Sequence, residues 1–288
     1  MSDYVIITDS SCDLTPELVE KTGVKILALS FLLDGKSYKN DPAGSDIPYD
    51  VFYSQLRAKK DVKTSAVNQE AFRVLMKTEL NAGNDILYIG FSSGLSATYN
   101  AGAVVAKELS LEYPDRKVYA VDSLAASLGQ GLLVYLAAMK KKAGASIDEV
   151  RDYCESIKLN VCHQFTVDDL MFLKRGGRVS AVTAVAGTML NIKPVLHVDN
   201  EGHLINISKA RGRKAAIKAL FDRMKQTYDA SCKDVFISHG DCLEDAKYLA
   251  SLIKEEWGVD CVIGYVGPVI GAHSGPGTLA LFYIGNER

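Results

Sequence analysis

Gly90-Phe91-Ser92-Ser93-Gly94 satisfies the G-x-S-x-G pattern of a hydrolase nucleophile elbow, placed between an expected strand and an expected helix. In that chemistry Ser92 would be the nucleophile and His273, far downstream, its base. No HGGG-like segment precedes it to supply an oxyanion hole. The same stretch supports a different use. Ser92, Ser93, Ser96 and Thr98 put hydroxyls in a loop entering a helix, at the carboxyl end of a strand. A helix start carries unpaired N–H groups and partial positive charge, so it favours a carboxylate or phosphate. Plain helix capping is the third use open to these residues.

Lys63-Thr64-Ser65 is a second hydroxyl cluster before a helix, again compatible with capping. Asp9 and Ser10 end a strand and could face the same crevice, although turn chemistry also accounts for them. His273 stands between glycines in the stretch Gly267 to Gly277, a loop by composition. A histidine there can approach a ligand closely or simply lie at the surface. The other four histidines and the six cysteines show no metal-ligand spacing and no C-x-x-C pair, so no metal is expected. Arg175 and Arg178 straddle two glycines, and Arg211 and Arg213 open a helix; each pair could meet an acidic partner or be solvated. Neither G-x-x-x-x-G-K-[ST] nor G-x-G-x-x-G after a strand occurs, which disfavours ATP and NAD; no cofactor is expected.

The elements that must hold these residues alternate. Tyr4 to Thr8, Asp85 to Phe91 and Lys117 to Val121 read as strands. Thr15 caps a helix opening with Pro16, and Phe72, Leu75, Met76 and Leu80 mark one helical face, ended by Gly83. Helices are expected from the serine-rich loop through Leu109 and from about Leu124 to Lys142. Val24 to Leu33 reads as one apolar run ending at the turn Asp34-Gly35, and Lys36 to Pro48 as surface loop. This alternation predicts a mainly parallel sheet with helices on both faces.

The second half differs. Lys193 to Asp199 and His203 to Ser208 flank Asn200-Glu201-Gly202 as a hairpin. Helices are expected at Arg213 to Tyr228 and Leu243 to Trp257, strands at Asp234 to Ser238 and Cys261 to Tyr265. The expected fold is therefore two domains: residues 1–158, a three-layer α/β/α domain with a mainly parallel sheet, and residues 159–288, an α+β domain with a mixed sheet.

With 288 residues the chain can bury a core without staples. Its 33 Lys+Arg nearly balance 35 Asp+Glu, leaving no bulk charge to attract nucleic acid. The start, MSDYVIITDSSCD, shows no signal peptide, no apolar run approaches the ~18 residues of a membrane span, and the scattered cysteines suit reduced thiols. A cytoplasmic location is expected.

Read in order, several segments resemble the DegV family: Thr8 to Leu14, Lys63-Thr64-Ser65, Ser92 to Tyr99, Val121-Asp122-Ser123, Val167 to Leu170, Gly176 to Ser180, and Gly267 through Gly277. Each piece is short, but the ordered set is specific and spans nearly the whole chain. The resemblance implies a non-catalytic protein that binds a long-chain fatty acid between two α/β domains. It then presents the carboxylate to a separate fatty acid kinase, which makes an acyl phosphate for phospholipid synthesis. Carried over residue by residue, the carboxylate would be held by Thr64, Ser93, Ser96 and His273, with Ser65 close by. Arg178 and Arg211 match segments implied to dock the kinase. Two departures stand out: Ala66-Val67 replaces the family's Gln-Pro, and Ala97 replaces its glycine, adding a methyl near the carboxylate site. The physical demand agrees with the resemblance, since a buried carboxylate needs donors to replace its hydration and an apolar space for its tail. A serine esterase or thioesterase built on Ser92 is the competing expectation.

Overall fold

The computed structural model describes residues 3–179 and 191–288, so Ser180 of the glycine-rich segment lies outside the described residues. Among the described residues the strands form three sheets. The first has the order β2-β1-β6-β7, all parallel, from β1 (Tyr4–Asp9), β2 (Lys25–Leu27), β6 (Asp85–Gly90) and β7 (Val118–Asp122). Every residue of β6 is buried, as a strand covered on both faces requires. On one face lie α3 (Gln69–Asn81) and α4 (Thr98–Glu112), whose Phe72, Met76, Val105 and Leu109 pack on Ile7, Ile86 and Tyr88. On the other lies α5 (Leu128–Lys142), whose Leu128, Leu132 and Leu133 meet Ile6, Leu87 and Ile89. Three layers result, as expected.

The helix α5 is buried continuously from Leu128 to Ala138 because both of its sides are covered. Its far side packs against the second sheet, with Tyr135 edge-on to Phe236 at 5.5 Å between ring centroids. That sheet has the order β10-β9-β8-β13-β11-β12: β8 (Val161–Thr166), β9 (Ile192–Val198), β10 (Leu204–Arg211), β11 (Val235–His239), β12 (Cys261–Tyr265) and β13 (Leu279–Ile284). The β11–β12 pair is parallel and the others antiparallel, so the mixed sheet is present, with the expected hairpin at β9–β10. Its outer face is covered by α8 (Arg213–Thr227) and α9 (Leu243–Trp257) through Ile217, Leu220, Leu249 and Ile253. Two further helices, α1 (Pro16–Thr22) and α6 (Ile147–Ile157), begin on side-chain caps from Thr15 and Ser146.

A small antiparallel sheet, β4-β3-β5, is the first correction to the sequence reading. The apolar run from Val24 to Leu33 splits into β2, in the parallel sheet, and β3 (Ser30–Leu33). Part of the expected loop from Lys36 to Pro48 is β4 (Lys36–Lys39), joined to β3 through Asp34 (φ 52°) and Gly35 (φ 81°), both left-handed as a tight two-residue hairpin demands. The third strand is β5 (Val62–Ser65), and α2 (Tyr49–Arg57) precedes it. The second correction is α10 (Pro268–Ser274), a helix where a glycine-rich loop was expected. Finally, α5 starts at Leu128 rather than near Leu124, because Leu124 (φ 49°) and Ser127 (φ 53°) leave the helical region.

Candidate functional site

Strand β5 alternates: Val62 and Thr64 are half-buried while Lys63 and Ser65 are exposed. This turns Thr64 toward α10, where its Oγ1 lies 2.8 Å from His273 Nε2. The other ring nitrogen of His273 abuts the backbone of Gly176, just after α7 (Leu170–Arg175); a Cβ at Gly176 would fall 2.2 Å from Nδ1, so only glycine leaves room for the imidazole. Burial, reinforced by the neighbouring positive charge of Arg178, pushes the His273 pKa down to about 4. The imidazole is therefore neutral near neutral pH, and the pair offers a hydroxyl and a ring nitrogen without a fixed charge.

Ser96 stands at the entrance to α4, accepting from the Thr98 N–H (3.2 Å) with its Oγ 2.9 Å from Thr98 Oγ1. No acidic side chain occupies the first turn of this 15-residue helix, so its positive end is left uncompensated. Arg178 completes this end. Its Nε donates to the Leu95 carbonyl (3.3 Å), its Nη1 donates to the Gly176 carbonyl, and half-burial lowers its pKa.

Behind these groups opens a cavity of about 250 Å³, larger than the ~150 Å³ apolar cavity known to hold a benzene. Its walls come from both halves of the chain: Phe91, Leu95 and Ala126 beyond the carboxyl ends of the parallel strands, and Phe165, Leu204 and Phe282 on the mixed sheet. That is the place where open α/β sheets bind ligands. Thr64, Ser65, Ser96, Arg178 and His273 all line it, so the structure brings together five of the residues singled out from sequence. Ser93 does not line it; it is exposed, and its N–H donates to Asp122 Oδ1 (3.2 Å). Arg211 ends β10, exposed and away from the cavity.

The elbow chemistry is not assembled. Ser92 is fully buried, its hydroxyl donates to the Gly202 carbonyl (2.9 Å), and it has no bond to an imidazole; His273 is joined to Thr64 instead. Asp9 serves its turn, accepting from the N–H groups of Ser11 (3.1 Å) and Phe91 (3.0 Å), with burial raising its pKa. All six cysteines are free, and no metal-ligand cluster occurs among the described residues.

Sequence reasoning missed His163, Ser127, Ser238 and Ser274, which also line the cavity. His163 Nε2 accepts from the Ala126 N–H (3.2 Å), which leaves Nδ1–H to donate to the Val161 carbonyl (2.9 Å). Burial drives its pKa well below the ordinary value, so it is a neutral, satisfied wall residue. Nothing in the sequence distinguishes it, because the β8 run Val161–Thr166 is buried on both faces and shows no period of two.

Fold and cavity together define a class: an α/β protein with a largely apolar cavity between its parallel and its mixed sheet, and a neutral-to-basic cluster at one end. The chain belongs to the DegV family, whose sequence profile ("Uncharacterised protein, DegV family") matches residues 3–286. It is 43% identical to a DegV domain-containing protein of Clostridium perfringens, covering 100% of this chain and 99% of that one. Among solved structures it resembles a fatty-acid-binding DegV family protein from Thermus thermophilus (TM-score 0.87, 28% identity, covering 99% of this chain and 100% of that one). A fatty acid binding DegV family protein from Streptococcus agalactiae gives a TM-score of 0.85 at 29% identity, with both chains covered completely (100%).

Proposed function

We propose that this protein is a non-catalytic carrier that binds a long-chain fatty acid in the cavity between its parallel and its mixed sheet. Thr64, Ser65, Ser96 and His273, which all line that cavity, hold the carboxylate. The observation that carries this reading is the Thr64–His273 pair at one end of a largely apolar cavity. Burying the roughly 14 methylenes of palmitate at ~0.8 kcal/mol each supplies a gross gain of about 11 kcal/mol, much of it offset by lost freedom. The head group needs donors rather than a catalytic base, and neutral hydroxyls, a neutral imidazole and the start of α4 provide them. The relatives with solved structures described as fatty acid binding support the ligand class.

The carboxylate held at the mouth is presented to a separate fatty acid kinase, which phosphorylates it to an acyl phosphate for phospholipid synthesis. Arg211, exposed, and Arg178, at the rim of the cavity, are the docking residues in this scheme. The setting is the cytoplasm; among the described residues no helix is long and apolar enough to cross a membrane. Protein purified from bacteria and denatured in organic solvent should release a stoichiometric acyl chain detectable by mass spectrometry. A protein that releases none, and that after delipidation fails to take up palmitate or oleate, would refute the carrier reading.

A further inference from the structure

One part of the cavity wall does not suit a plain hydrocarbon tail. Ser274, the last residue of α10, is 5% exposed and lines the cavity, yet among the described residues its Oγ has no hydrogen-bond partner. Ser238, on β11, is fully buried in the same wall, and among the described residues the one partner of its hydroxyl is Ser127 Oγ at 3.1 Å. Ser127 in turn donates to Asp13 Oδ2 (2.5 Å), a residue outside the cavity lining. With that proton spent on Asp13, Ser238 donates to Ser127 and keeps its lone pairs free. Burial raises the Asp13 pKa to about 7, and a protonated Asp13 would run the chain the other way, leaving the Ser238 proton free instead. In both directions Ser238 retains unused hydrogen-bonding capacity, and Ser274 retains all of its own.

The backbone brings the two serines to one region. A Cβ placed on Gly240, two residues beyond Ser238, would lie 2.9 Å from the Gly275 carbonyl oxygen, so the end of α10 rests directly on the end of β11. Thr278, nearby, is already satisfied because its hydroxyl donates to that same carbonyl (2.7 Å). Dehydrating a hydroxyl without giving it a partner is unfavourable, and methylenes offer none.

We propose that Ser274 and Ser238 form a second polar subsite that takes a hydroxyl group carried along the acyl chain, so that the preferred cargo is a hydroxylated fatty acid. A guest hydroxyl both donates and accepts, and therefore suits either direction of the Asp13–Ser127–Ser238 chain. This inference rests on the fatty-acid reading of the cavity and adds a specificity to it.

The test is competitive binding of stearic acid and a positional series of monohydroxystearic acids to the delipidated protein. At least one positional isomer should bind about fivefold tighter than stearate, the increment of one net hydrogen bond. Ser274→Ala and Ser238→Ala, checked for folding by thermal melting, should bring that isomer to parity with stearate within each variant, abolishing the fivefold ratio seen in the wild type. If stearate binds at least as tightly as every isomer, the subsite is wrong and the fatty-acid reading stands. If Ser274→Ala weakens stearate itself, the hydroxyl serves the carboxylate and the subsite is likewise wrong. If neither stearate nor any isomer binds, the fatty-acid reading fails and carries this inference with it.

Discussion

Replacing Thr64 with valine keeps the shape and strand propensity of the residue while removing the one hydroxyl bonded to His273 Nε2. In the proposed complex this hydroxyl donates to the ligand carboxylate. A hydrogen bond to a charged group contributes about 1.5–3 kcal/mol, so Thr64→Val should weaken palmitate binding roughly 10- to 150-fold. Binding should not vanish, because burial of the tail, on the order of 11 kcal/mol gross, is untouched. Displacement of a fluorescent fatty acid from delipidated protein reads the affinity. A cycle with methyl palmitate isolates the head group: the ester should bind the wild type more weakly than the acid, and Thr64→Val should change ester binding little. If Thr64→Val binds palmitate within about twofold of wild type, or weakens acid and ester equally, the carboxylate does not sit at Thr64.

Further perturbations address other parts of the site. Gly176→Ala puts a methyl 2.2 Å from His273 Nδ1 and should weaken palmitate binding as much as His273→Ala does; wild-type affinity in a folded Gly176→Ala protein would contradict the packing described. Ala280→Phe intrudes on the cavity and should shift preference toward shorter acyl chains in a competition between laurate and stearate, whereas an unchanged preference would exclude a tail at that wall. His273 titrates near 4 when folded and at its ordinary 6.5 when unfolded, so the unfolded chain binds more protons between those values and stability falls as pH drops through that window. The wild type should therefore lose more of its denaturant stability than His273→Asn over this range; parallel losses would show a solvated imidazole. A fluorophosphonate probe should label neither the wild type nor Ser92→Ala, since Ser92 has no base; labelling abolished by the substitution would favour an esterase.

Strands such as β1 and β6 are legible because they are short apolar runs bounded by turn residues, and α9 because its apolar positions recur at the helical period. The corrections arise where tertiary partners decide. Lys36 and Ser37 of β4 are exposed, so the strand carries no apolar alternation and exists through pairing with β3. Gly267 and Gly271 make α10 read as loop by propensity, yet Gly271 is demanded inside the helix by packing: a Cβ there would meet the Tyr53 hydroxyl at 2.5 Å. In the site, Thr64 and Ser96 are legible as hydroxyls ahead of expected helices and His273 as an imidazole among glycines. Their convergence is not, because β5, α4 and α10 come from distant parts of the chain. The free hydroxyl of Ser274 is invisible for the same reason, since a missing partner is a property of the packed wall.

The most direct measurement is a crystal structure of the protein loaded with palmitate or oleate. Carboxylate oxygens should lie within hydrogen-bond distance of Thr64 Oγ1 and the His273 ring, with the acyl chain running past Phe91, Phe165 and Phe282. Density for the carboxylate elsewhere, or a cavity holding only water after loading, would contradict that placement.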